Sequence, residues 1–213
     1  MNRAWILFRS GSRLDLLNPK PNAWTDSDLA IGLARTYRWG GQSAWDLPLS
    51  VAQHSLTVLA IREAGRRQLT PAEAMRELLH DATEALIGGI DPITPIKPLL
   101  GAAYHAINSR LQTAVNQRYE LPAWTVASHR EHKIADRLAA ASEAHHVVGW
   151  RKPAVRRTLG IEAEPLDNDP VTAPDGMESW EPWPPYVAAE RFLARLRALQ
   201  QARTLTGAAR RAA

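Results

Sequence analysis

The sequence predicts an all-α helical bundle preceded by a short hairpin-like arm. Three observations point there. Hydroxyl side chains stand just ahead of apolar runs, as N-caps do. Apolar residues then recur at intervals of three and four, the period of one helix face. Glycine or proline follows where each run stops. A chain of 213 residues is long enough for one domain with a sizeable core.

The arm covers residues 1–24. Trp5, Ile6 and Leu7 are apolar, Ser10-Gly11-Ser12 makes a turn, and Leu14, Leu16 and Leu17 follow before Asn18-Pro19. The bundle proper is expected over 25–148. Thr25 or Asp26 caps a short helix to about Ala34. Ser50-Val51-Ala52-Gln53 reads as a capping box ahead of Leu56, Leu59 and Ala60. Thr70-Pro71-Ala72-Glu73 repeats the device, with proline at the first helical position, where its missing N–H is harmless. Met75, Leu78, Leu79, Ala82 and Leu86 continue that stripe as one helix until Gly88-Gly89. The stretch Asp91 to Pro98 is proline-rich and reads as a stiff loop. A third long helix is expected from Leu99 to about Tyr119, and a fourth from about Pro122 to Val148. Residues 149–203 read as an irregular Pro/Trp-rich segment and a last helix, Val187 to Leu199, of the same domain. Residues 204–213 read as a flexible tail.

Composition narrows the function classes. There are no cysteines, so no disulfide framework or thiolate site exists. A reducing, cytoplasmic setting is compatible with that. The only early apolar run is Trp5 to Phe8, too short for a secretory signal, and no stretch approaches a membrane span. The formal charge of +4 suits an anionic substrate such as a phosphate ester, and suits nucleic acid equally well.

The chemistry concentrates in His54, His80-Asp81, Glu84 and Asp136. Imidazoles and carboxylates are the donors of a divalent metal that keeps an open coordination position. On the expected helices His54 lies in a first turn, and His80 and Asp81 lie mid-helix with Glu84 on their face. Asp136 stands among Ile134, Ala135, Leu138, Ala139 and Ala140, where a carboxylate is costly unless paired or metal-bound. Bundles commonly build metal sites from such facing helices. Each residue alone has a plainer reading. His54 would cap or pack, Asp136 would pair with Arg137 or His132, and Glu84 would be a surface residue. His129 and His132 share a stripe with Asp136 and offer a rival site.

The order His54 … His80-Asp81 … Asp136 resembles the HD superfamily of metal-dependent phosphohydrolases. Ser50-Val51-Ala52-Gln53-His54-Ser55 and Leu79-His80-Asp81-Ala82-Thr83-Glu84-Ala85 are similar to its branch of bacterial and phage 5′-deoxynucleotidases and dNTP triphosphohydrolases. The resemblance spans roughly residues 35–145 and implies an HD-domain helical bundle. It implies His54, His80, Asp81 and Asp136 as ligands of one divalent metal (Mn, Co, Zn, Mg, Ni or Fe) and Glu84 as a catalytic carboxylate. Arg38-Trp39 match a pair in which the arginine holds phosphate and the tryptophan lines the nucleoside pocket; core packing is the other reading of Trp39. Thr94-Pro95-Ile96-Lys97 matches a Thr-Pro-x-Lys string, which places Lys97 near the phosphate. The family reads Gly-Asp-(Ile or Leu)-Pro after the glutamate. This chain reads Gly88-Gly89-Ile90-Asp91-Pro92-Ile93, so Asp91 is either the displaced catalytic equivalent or a loop residue.

The expected function is therefore a 5′-nucleotidase releasing phosphate from dNMPs, with a dNTP triphosphohydrolase as the nearest alternative. A basic helical nucleic-acid-binding protein is the alternative of another class, motivated by Arg151, Lys152, Arg156 and Arg157. A metal-binding but inactive scaffold is a third. The resemblance also implies a homodimer, with Trp180 and Trp183 expected to offer aromatic surface for it.

Overall fold

The computed structural model describes residues 4–89, 91 and 96–212. Two three-residue strands, β1 (Trp5–Leu7) and β2 (Arg13–Asp15), pair antiparallel and form the arm. Eight α-helices follow among the described residues: α1 (Asp26–Ala34), α2 (Val51–Glu63), α3 (Pro71–Leu78), α4 (Ala82–Leu86), α5 (Gly101–Arg118), α6 (Val126–His146), α7 (Lys152–Leu159) and α8 (Pro185–Ala212). The fold is all-α with a short N-terminal hairpin, as the sequence predicts. None of the described helices is long and apolar enough to cross a membrane.

The caps explain most of the boundaries. Thr25 accepts a hydrogen bond from Asp28 N while Asp28 accepts from Thr25 N, a closed capping box for α1. Thr70 and Glu73 do the same for α3. At α2 only half of the expected box forms, because Ser50 caps Gln53 N while the Gln53 side chain turns elsewhere. Its amide donates to Glu181 O and accepts from Trp183 N, tying the segment before α8 to the start of α2.

Five other expectations change. The helix expected to run through Leu86 breaks at Leu79-His80-Asp81, leaving α3 and α4 as separate pieces. A 3-10 turn, Lys97–Leu100, precedes α5. The fourth helix begins at Val126 rather than Pro122, since Thr125 and Ser128 form a capping box there. The 149–185 stretch is not wholly irregular: α7 lies within it, opening beside Pro153 and closing on Gly160 in the left-handed conformation. The last helix also extends well past Leu199, so the tail expected to be flexible is helical to Ala212.

The main core joins α1, α2, α3, α4, α5 and α8 through Leu29, Leu59, Met75, Leu86, Leu111 and Phe192. Trp180 and Trp183 are 4% and 2% exposed. Both are interior, which removes the aromatic surface expected of them. A smaller cluster, Val58 with Ala135 and Ala139, lies between α2 and α6. Small side chains let two helix backbones approach closely. Here they bring the first turn of α2 up to the middle of α6.

Candidate metal centre

His54 is set one turn below Val58 on the α2 face that meets α6. His80 and Asp81 occupy the break between α3 and α4, and Asp136 faces them from α6. His54 Nε2 lies 3.6 Å from Asp81 Oδ2 and 3.4 Å from Asp136 Oδ1. His80 Nε2 lies 3.1 Å from Asp81 Oδ2, outside hydrogen-bond geometry. The donor atoms of His54, His80 and Asp81 are all within 4.8 Å of one another, a set able to hold a metal ion. Asp136 adds a fourth donor, a second carboxylate oxygen, at the edge. Its other oxygen accepts from Lys133 Nζ at 2.9 Å, a partner other than the expected Arg137 or His132.

The nitrogens themselves test whether a cation fits. Both imidazole Nε2 atoms are buried and have no hydrogen-bond partner among the described residues. Buried polar atoms are nearly always paired, so two such atoms aimed at carboxylates call for a bound group. The Nδ1 atoms are already committed. His54 Nδ1 lies 2.5 Å from Glu143 Oε1, and His80 Nδ1 is 2.8 Å from the Glu77 carbonyl. A ring nitrogen held as a donor leaves the other free as a lone-pair ligand.

Charge argues the same way. Asp81, Asp136, Glu84, Asp91 and Glu143 crowd around Arg38 and His54. Burial opposes ionisation of Asp81, yet His80 and His54 hold its carboxyl well below the usual range. Burial likewise opposes ionisation of Asp136, and His54 and His80 lower it. Burial and Arg38 disfavour the His54 imidazolium, but Glu143 and Asp136 outweigh them and raise its pKa to about 9.

Glu84 behaves oppositely. Burial, then Asp81 and Asp91, push its carboxyl well above the usual range, against the pull of Lys97. Oε1 accepts from Lys97 Nζ at 3.2 Å, and Oε2 is buried with no partner among the described residues. Lys97 therefore reaches the centre through Glu84. Asp91 Oδ2 is 3.8 Å from Arg38 Nη1, so this carboxylate faces the site. Ile90, Pro92, Ile93 and the Thr94-Pro95 part of the string lie outside the described residues.

Arg38 and Trp39 arrive by backbone pairing. Arg38 N donates to Leu49 O and Val51 N to Thr36 O, which lays this segment along the start of α2. Arg38 opens a short 3-10 turn, Arg38–Gly41. Its Nε donates to Glu143 Oε2 at 2.9 Å, and Trp39 Nε1 donates to the same oxygen at 3.2 Å. The Trp39 ring lies 6.0 Å from that of Trp150 at the edge of a small α6–α7 cluster. The rival histidine site does not assemble. His132 Nδ1 lies 2.8 Å from Glu77 Oε2, and its ring packs 4.8 Å from that of His80.

Sequence reasoning missed Glu143 and Glu77. Glu143 falls seven residues after Asp136, two turns along one face of α6, inside the run Ala139-Ala140-Ala141-Ser142-Glu143-Ala144. A lone carboxylate amid alanines is the signal that singles out Asp136, and it applies here too. Glu77 is one turn before His80 within an apolar stripe.

No family model matches the chain. Over 161 residues, 75% of this chain and 81% of the relative, it is 39% identical to a Rhodobacter capsulatus protein described only as uncharacterised.

Proposed function

The chain belongs to the same family as that Rhodobacter capsulatus protein, and we propose that it is an HD-superfamily, divalent-metal-dependent phosphohydrolase acting on nucleotides. The preferred reaction is release of phosphate from deoxynucleoside monophosphates. The observation that carries this reading is the pair of buried, unpartnered Nε2 atoms of His54 and His80 facing Asp81 and Asp136.

His54, His80, Asp81 and Asp136 would hold the cation. A divalent ion supplies Lewis acidity toward a phosphoryl oxygen and lowers the pKa of water. The remaining roles follow from this chain's own groups. Glu143 takes the Nε of Arg38, and the Nη side, which faces Asp81 and Asp91 at 3.9 and 3.8 Å, is the part of the guanidinium that would bind phosphate as a planar fork. Lys97 adds positive charge beside Glu84 to offset charge gathering on the phosphoryl oxygens. Glu84 holds a proton more tightly than an ordinary carboxyl, which fits it to pass that proton to the leaving oxygen. Trp39 has spent its ring N–H on Glu143, so its apolar faces remain to meet a base or deoxyribose.

The nucleic-acid reading is weaker, because its motivating cluster is partly neutralised: Arg156 and Lys152 both pair with Glu164. The deciding assay offers purified protein dNMPs and dNTPs with Mn²⁺, Co²⁺, Zn²⁺, Mg²⁺, Ni²⁺ or Fe²⁺ and separates phosphate from triphosphate. Phosphate from dNMPs supports the proposal. Triphosphate from dNTPs moves the activity to a triphosphohydrolase. Neither product with any metal overturns it.

A further inference from the structure

Glu143 is 1% exposed, and three donors from two separate segments converge on its two oxygens. Oε1 faces His54 Nδ1, while Oε2 takes both Arg38 Nε and Trp39 Nε1. A buried carboxylate is costly unless fully satisfied, and among the described residues its partners all belong to the proposed site. The backbone gives an independent sign of constraint. Trp39 has φ 59°, the left-handed region that a bulky residue ordinarily avoids. The indole bond to Glu143 is the polar contact that holds this side chain in place.

We propose that Glu143 is a positioning residue that aligns the metal-binding and nucleotide-binding halves of the centre on a single carboxylate. Oε1 keeps the His54 proton on Nδ1 and so presents Nε2 to the cation. Oε2 fixes the guanidinium of Arg38 and the ring of Trp39 on the opposite side. This inference rests on the phosphohydrolase reading above. It adds that cation affinity and nucleotide affinity both depend on a residue that touches neither ligand.

The test compares wild-type protein with Glu143→Gln, which fills the same volume but replaces one acceptor oxygen with an amide donor. Mn²⁺ and Zn²⁺ affinities are measured by calorimetry without nucleotide, thermal melting checks the fold, and KM for a dNMP is measured at saturating metal. The expected result is 10–100-fold weaker metal binding, the usual effect of losing a ligand's supporting partner, together with a raised KM in a folded protein. Wild-type metal affinity in folded Glu143→Gln overturns the role of Glu143 alone. If the wild-type protein binds neither ion, both this inference and the functional reading fail. Should the variant not fold, ¹⁵N spectra of histidine-labelled, Zn²⁺-loaded wild-type protein decide the matter. His54 must show a protonated Nδ1 and a metal-bound Nε2, and the reverse assignment overturns the proposal.

Discussion

Replacing Glu77 with alanine separates what holds the centre up from what binds in it. The Glu77 side chain is fully buried, accepting from Arg62 Nε at 3.1 Å on one oxygen and facing His132 Nδ1 at 2.8 Å on the other. Its removal strands two buried donors unequally. Arg62 keeps a second carboxylate, Glu131, at 2.7 Å, so its loss is limited to about 2 kcal/mol for one charge-assisted bond. Burial already lowers the His132 pKa, so the ring can stay neutral and forfeit about 1 kcal/mol. With the small cavity left behind, Glu77→Ala is expected to destabilise the fold by roughly 3–4 kcal/mol. His80, however, bonds to the backbone carbonyl of Glu77, which the substitution leaves in place. Urea unfolding should therefore show the full loss of stability, while calorimetry shows Mn²⁺ affinity reduced less than tenfold. A stability change under about 1 kcal/mol, or metal affinity that falls a hundredfold in folded protein, would refute the reasoning.

Glu84→Ala is expected to reduce dNMP turnover at least a hundredfold while Mn²⁺ binding survives, since Glu84 pairs with Lys97 outside the proposed ligand set. Joint loss of both would put Glu84 among the ligands. Chelation with EDTA should abolish turnover and lower the melting temperature, and Mn²⁺ at 100 times its dissociation constant should restore about 2.7 kcal/mol of stability; turnover that persists after dialysis against chelator contradicts the metal assignment. Burial pushes the Asp169 carboxyl up to about 6. The folded protein thus holds this proton more tightly than the unfolded chain, and the stability present below about pH 4 is lost as pH rises through 6. Asp169→Asn, whose Oδ1 can still accept from Val171 N, should gain up to about 2 kcal/mol at pH 8 and far less at pH 4. Equal urea midpoints for the two proteins at pH 8 would rule that out.

Much of the bundle is legible because caps and helical periodicity are local. Thr25, Ser50 and Thr70 each stand immediately before a helix. The failures occur where periodicity continues across a boundary. Leu78, Leu79 and Ala82 keep helical spacing through the α3–α4 break, so nothing in their apolar pattern marks it. The helix-favouring Ala-rich end of α8 reads as tail because few apolar anchors follow Leu199. Ser50 and Gln53 have the residue types of a capping box, but Gln53 is claimed by backbone groups at Glu181 and Trp183, far away in sequence. The centre divides the same way. Motif strings pick out His54, His80 and Asp81, and the order of ligands with its apolar neighbours picks out Asp136. Glu143 and Glu77 act through tertiary hydrogen bonds, and their partners lie on other elements.

The interruption at Leu79-His80-Asp81 explains how neighbours in sequence become neighbours at one point. An unbroken helix turns consecutive side chains about 100° apart, which would aim one of this pair away from α2. Because the backbone stops and restarts, His80 Nε2 and Asp81 Oδ2 come within 3.1 Å and both look toward His54. The dipeptide works as a pincer only while its hinge stays bent. Any change that straightened residues 79–81 into continuous helix would open the pincer with every donor atom still present.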